Sequence, residues 1–190
     1  GVADFKEQQV VFKSDATGYG SLGQVTGTLT GASNITVERY IPNNGFRSWR
    51  LLSVPTYGTQ TIRQAGQENN LPMLDGKPGY GTLITGGGNS TAAAQAAGFD
   101  YSGANASMLT WNGTGWSNIS GTLAPISANP AYFLYVRGDR SKGVTGQTTD
   151  ANATTLRTTG NLYTGDQTYT IPAGQFAVVP NPYASAIDFT

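Results

Sequence analysis

The stretch YFLYVRGDR, residues 132–140, sets Tyr132, Leu134 and Val136 in alternation with Phe133, Tyr135 and Arg137. Side chains point to opposite faces along a strand, so a period of two marks a strand with two different faces. ITVERYI (35–41) repeats the pattern, with Ile35, Val37 and Ile41 set against Thr36, Glu38 and Tyr40. FRSWRLLSV (46–54), SMLTW (107–111), TLRTTGNLY (155–163), TYTIP (168–172) and QFAVVP (175–180) read the same way, each bounded by Gly, Pro or Asn. The expectation is an all-β fold, an antiparallel β-sandwich of jelly-roll-like form in which each sheet buries one face against the other. Helix signals are short. TQTIRQAGQENN (59–70) has room for two or three turns, and STAAAQAAG (90–98) offers Ser90 as N-cap and Gly98 at the expected end. One or two short surface helices are expected there.

Outward from these strands, 190 residues suffice to bury a substantial core. We expect a single module over residues 1–190, a fragment of a longer chain, with residues 1–33 as an N-terminal extension or donor strand. No repeat of 20–50 residues is visible, which argues against a solenoid or a propeller. The Gly-rich stretch PGYGTLITGGGNSTAAAQAAG (78–98) contains the strand-like GTLIT and reads as a long loop rather than a boundary.

Charge is balanced, 11 basic against 11 acidic residues, and only 12% of positions are charged. No field exists to gather nucleic acid or an anionic membrane. No apolar run approaches the length that spans a bilayer, and the expectation is no membrane insertion. With 26 Gly, many Thr, Ser and Asn, and 11% aromatics, the composition resembles exported β-rich proteins.

Chemistry is sparse. The chain has no His and no Cys, so the usual neutral-pH base, the thiolate nucleophile, disulfides and the common zinc ligands are all missing. Carboxylates remain, at Glu38, Asp75, Asp100, Asp139, Asp150 and Asp166, scattered along the chain without a recognisable nucleophile or base constellation. The expectation is no enzyme and no catalytic residue. TGGGNS lacks the Lys-Ser/Thr of a phosphate loop, and GYGTLITGGG lacks the strand, glycine pattern and helix order of a dinucleotide site. Calcium is the one cofactor left open, with Asp150 and Asn152 as hard oxygen ligands in a loop that has neither EF-hand nor nonapeptide spacing.

Aromatics are the binding candidates. In MLTWNGTGWSNI (108–119) the Asn112-Gly113 pair signals a hairpin, so Trp111 and Trp116 should flank its turn, where rings can stack on sugars, seat a partner or cover the core end. Tyr101 is grouped with them as a ligand-binding candidate. Trp49, between Arg47 and Arg50, reads as core with an arginine lying over it. The tripeptide Arg137-Gly138-Asp139 matches an integrin-binding sequence, yet Arg137 is placed to pair with an acid across the sheet and Gly138 to turn the chain. A structural role is expected.

The blocks ITVERYIP (35–42), FRSWRLLSVP (46–55), TIRQAGQENN (61–70), PGYGTLITGG (78–87), GFD (98–100), AYFLYVRGDRS (131–141), TTLRTTGNLYTG (154–165) and FAVVPNPYASAIDF (176–189) occur in an order that resembles a recurrent region of large exported Bacteroidota proteins. Such proteins commonly end in a sorting domain for type IX secretion. The resemblance spans about residues 34–189. It departs at Pro180, where related stretches often have Gly, and at Gly66, where they have Trp. It implies export and an extracellular or outer-cell-surface location, carries no catalytic residues, and implies a structural role for the Arg-Gly-Asp block. Two function classes follow: an adhesin-type module binding polysaccharide or another surface ligand, and a structural spacer or strand-exchanging filament unit whose partners are neighbouring domains or its own copies. Sequons at Asn34, Asn112 and Asn118 permit glycans.

Overall fold

The structure is a computed structural model and describes residues 1–69, 78–128 and 130–188; Asp75, among the carboxylates considered above, lies outside them. In chain order the elements are β1 (Val2–Asp4), β2 (Val10–Phe12), β3 (Ser14–Asp15), β4 (Gly18–Tyr19), β5 (Thr28–Thr30), β6 (Ile35–Ile41), β7 (Ser48–Ser53), β8 (Thr56–Tyr57), α1 (Ile62–Gly66), α2 (Thr91–Ala96), β9 (Met108–Trp111), β10 (Trp116–Asn118), β11 (Ala131–Val136) and β12 (Thr154–Leu162). With 31% strand and 8% helix, this is the expected all-β fold.

Two four-stranded sheets carry it, ordered β10-β9-β11-β7 and β2-β6-β12-β8. The first is antiparallel throughout: Tyr132 stands opposite both Leu52 and Thr110, and Leu134 opposite both Arg50 and Met108. In the second, β12 pairs antiparallel with β6 from Thr154↔Ile41 to Gly160↔Ile35. The N-terminal stretch adds parallel pairing to this frame, β2 running beside Ile35–Val37 and β1 beside β5. Val10–Phe12 thereby adds an edge strand beside β6 of its own chain, while β1 with β5 and β3 with β4 form separate two-stranded sheets.

The alternation read from the sequence decides what is buried. Leu52, Val54, Met108, Tyr132, Leu134 and Val136 from the first sheet pack on Ile41 and Leu156 from the second, with Ile62, Ile84, Phe99 and Ile126 closing the ends. A second core holds Ile35, Val37, Leu162 and Ala184, against which Phe5, Val10, Phe12, Leu22 and Leu29 of the N-terminal stretch pack. One face of the β6–β12 pair is thus covered in two lengths, by the opposite sheet at the Ile41 end and by the N-terminal and C-terminal segments at the Ile35 end.

Helix α1 begins with a capping box: the Gln64 amide donates to Thr61 Oγ1 at 3.1 Å and the Thr61 amide donates to Gln64 Oε1 at 2.8 Å. Ile62 and Ala65 of this helix are buried in the core. The Ala93 amide donates to the Ser90 hydroxyl at the start of α2, which buries only Ala94 and ends before Gly98 at φ +92°.

Three segments differ from their strand readings. TYTIP and QFAVVP form no strand; Tyr169, Ile171, Phe176 and Val179 stand exposed. GTLIT is buried from Thr82 to Thr85 but forms no ladder: it meets its neighbours through single bridges, Tyr80 with Thr155 and Thr85 with Tyr101. Its apolar run reports burial on all sides rather than membership of a sheet.

Candidate functional site

The outward face of the β10-β9-β11-β7 sheet is aromatic where a solvated sheet face is ordinarily polar. Alternation along β11 sends Tyr132, Leu134 and Val136 inward and leaves Phe133 and Tyr135 outside. Register then lines up their neighbours: Phe133 opposes Leu51 on one side and Leu109 on the other, Tyr135 opposes Trp49, and Trp116 opposes Trp111.

The rings touch in a continuous row. Trp49 stacks on Phe133 with centroids 5.3 Å apart at 29°, and Phe133 stacks on Trp116 at 5.1 Å and 24°. Tyr135 meets Trp49 at 5.5 Å at one end, and Trp111 meets Trp116 edge-on at 5.6 Å at the other. Trp49 is 40% exposed and Trp116 37% exposed, and Leu51 lies open beside them. The row carries no charge until its Tyr135 end, where the Arg137 guanidinium sits 5.0 Å from the ring centroid.

The turn that holds Trp111 against Trp116 is built by Asn112. Its Oδ1 accepts from the amides of Thr114 and Gly115, its own amide donates to the Gly115 carbonyl, and Gly113 takes φ +99°. The expected flanking positions of the two tryptophans are thereby observed. Tyr101 stands apart: it is half-buried, bridges to Thr85 and makes no ring contact with the row. Trp49 is a correction to the core reading, because the inward positions of β7 fall to Leu52 and its neighbours of the same parity. In this row the arginine over a ring is Arg137 on Tyr135, not a neighbour of Trp49, and Arg47 is buried and donates to the carbonyls of Asp150 and Val144. Phe133 and Tyr135, central to the row, were visible in the sequence only as the second face of an alternating strand.

The Arg-Gly-Asp block is folded into the end of this sheet. In place of the acid expected across the sheet, Arg137 donates to the Leu83 carbonyl at 3.1 Å and to Thr85 Oγ1 at 3.3 Å, and burial pulls its pKa down. Gly138 has φ +110°, and a Cβ there would lie 2.1 Å from Asn152 Oδ1. Asp139 is 2% exposed; its oxygens accept from the amides of Gly79 and Ser141 and from the Ser141 hydroxyl. Burial alone raises this carboxyl's pKa, but those hydrogen bonds outweigh it and hold the group below the usual carboxylate value.

The calcium candidates do not converge. Asp150 turns one oxygen to Lys142 Nζ at 2.6 Å and the other to Arg47 Nη2 at 3.4 Å, and Asn152 Oδ1 accepts the Asp139 amide at 2.8 Å. Asp150 is held low first by the Lys142 hydrogen bond. Among the described residues no group of three or more acidic side chains could hold a metal ion. Of the other carboxylates, Asp100 is spent on Arg140, Gln67 and the Ile84 amide, and Glu38 accepts the Ser14 amide. Asp166 lines a groove of about 380 Å³ among residues 22–25, 163–166 and 183–186.

Compared with family models, curated proteins and solved structures, the chain matches none. Among the described residues no helix is long and apolar enough to cross a membrane.

Proposed function

We propose that this chain is a non-catalytic module of an exported, adhesin-type bacterial surface protein, and that it binds neutral polysaccharide through its aromatic sheet face. The observation that carries this reading is the row Trp111, Trp116, Phe133, Trp49 and Tyr135, half-open to solvent on a rigid antiparallel sheet. Pyranose rings present apolar C–H faces that pack on aromatic rings, and an uncharged row favours neutral over ionic chains. Export and surface location rest on the block order that resembles Bacteroidota surface proteins and on a composition rich in Gly, Thr and Asn. The scattered carboxylates and the lack of His and Cys support a role in contact rather than turnover.

A second reading has its own observation. Phe133 spends both ring faces on Trp49 and Trp116, so the row offers ring edges together with Leu51, a surface suited to a neighbouring domain of a structural spacer.

Affinity electrophoresis of the full chain through gels loaded with neutral polysaccharides separates the two. Retardation on at least one polysaccharide, lost in Trp116→Ala and Trp49→Ala with unchanged circular dichroism, is the expected result. Unretarded migration on every gel overturns the polysaccharide reading and leaves the spacer.

A further inference from the structure

The segment TYTIPAGQFAVVP, residues 168–180, has the composition of two strands and the environment of none. It contains no charged residue, and Tyr169, Ile171, Phe176 and Val179 are exposed, Phe176 to 85%. A turn links its halves: the Gln175 amide donates to the Pro172 carbonyl at 3.1 Å and Gly174 takes φ +72°. Neither half joins a strand. Natural proteins blunt such apolar, strand-forming stretches with charge, and this one is left unguarded.

The same chain leaves open the complementary feature. Strand β7 ends its sheet and, among the described residues, pairs only with β11. The other edge strands of the two four-stranded sheets, β10, β8 and β2, have three, two and three residues, while β7 has six. Six residues extend about 20 Å, which accommodates the run from Phe176 to Val179 between Gln175 and Pro180. Trp49 and Leu51 share one face of β7 and give that edge an apolar flank to receive Phe176 and Val178, which share one face of an added strand.

We propose that Phe176–Val179 of one copy adds as a strand to the β7 edge of a second copy of this chain, linking copies by β-augmentation. The second copy is the occupant because donor and acceptor are both present in every copy and, among the described residues, both unpaired, and because Arg50, the one charge on β7, lies on the strand face opposite Trp49 and Leu51. The chain's own edge is within reach, since the Asn181 amide donates to Ser53 Oγ at 3.0 Å at the end of β7, yet Phe176–Val179 does not pair there. Trp49 and Leu51 belong to both surfaces, so a copy added here covers that end of the aromatic row, but the inference does not require the row to bind polysaccharide.

The absence of cysteine makes a clean cross-linking test on the full chain. Copies carrying Val178→Cys, on the same strand face as Phe176, are mixed with copies carrying Leu51→Cys and oxidised, and association of the unmodified chain is followed by sedimentation across a concentration series. A cross-linked pair of the two variants is expected, reduced at least about tenfold when Phe176→Asp is added to the donor, together with association that rises with concentration. Phe176 is exposed, so Phe176→Asp should leave the melting temperature of the monomer unchanged. A chain that stays monomeric with no mixed cross-link overturns the proposal. So does a chain carrying both cysteines that closes within itself on dilution, which would assign the segment to its own edge.

Discussion

Arg140 Nη2 lies 2.8 Å from Asp100 Oδ1, and neither side chain has any solvent exposure. The same carboxylate accepts the Gln67 side-chain amide and the Ile84 backbone amide, so one fully buried ion pair ties the segments around residues 67, 84, 100 and 140 together. Removing one partner strands the other charge in a site closed to solvent. Asp100→Ala and Arg140→Ala should each lower unfolding free energy by about 3–5 kcal/mol. Replacing both with apolar residues of similar volume should cost less than the two single changes combined. Urea unfolding of the three variants measures this.

The Arg-Gly-Asp block should behave as structure. Asp139→Ala should destabilise by about 1–3 kcal/mol, because the amides of Gly79 and Ser141 lose the acceptor that this buried carboxylate supplies in part-buried hydrogen bonds. Attachment of integrin-bearing cells should stay at background before and after the change. Attachment that depends on divalent cations and disappears in an equally stable Asp139→Ala would reverse the assignment.

The same carboxyl sets a pH dependence. Its folded pKa lies below the unfolded value of 3.8, so its contribution to stability is complete above that value and is lost as pH falls through the lower folded one. Melting temperatures measured downward from neutral pH should fall less steeply in the acid range for Asp139→Asn than for the unmodified chain.

Phe133 should couple the two tryptophans. Phe133→Ala removes two stacked contacts, each worth about 0.5–1.5 kcal/mol beyond buried area, and frees Trp49 and Trp116 to reorient. A loss of stability accompanied by increased solvent quenching of tryptophan fluorescence is the expected outcome; unchanged quenching would show that the row is held by the backbone alone.

The parts of the fold that sequence reveals are those whose partner is also patterned. β6, β9, β11 and β12 all show period two, and each finds an antiparallel neighbour in the same chain. TYTIP and QFAVVP show equal periodicity and remain unpaired, since alternation reports the capacity to pair and says nothing of an available edge. The face of Trp49 was obscured because both parities of β7 carry apolar residues, and only the facing sheet selects Leu52 for the interior. Trp111 and Trp116 could be placed because a turn with its own chemistry separates them. Asp100 and Arg140, 40 residues apart, meet only through tertiary packing, which no local pattern encodes.

Two glycines with the same backbone sign should respond very differently to a methyl group. Gly87 and Gly113 have φ +77° and +99°, so alanine is strained at both, by about 1–2 kcal/mol for an L-residue in the left-handed region. At Gly113 a Cβ meets nothing within 4 Å, whereas at Gly87 it would lie 2.4 Å from Cδ2 of the buried Phe99 ring. That ring belongs to the main core and cannot yield without displacing its neighbours, which adds an overpacking cost of about 1–3 kcal/mol. Gly87→Ala should therefore lower the unfolding free energy by clearly more than Gly113→Ala. Chemical denaturation of the two variants side by side gives the difference, and equal losses would show that the Gly86–Gly88 loop shifts away from Phe99 at no cost.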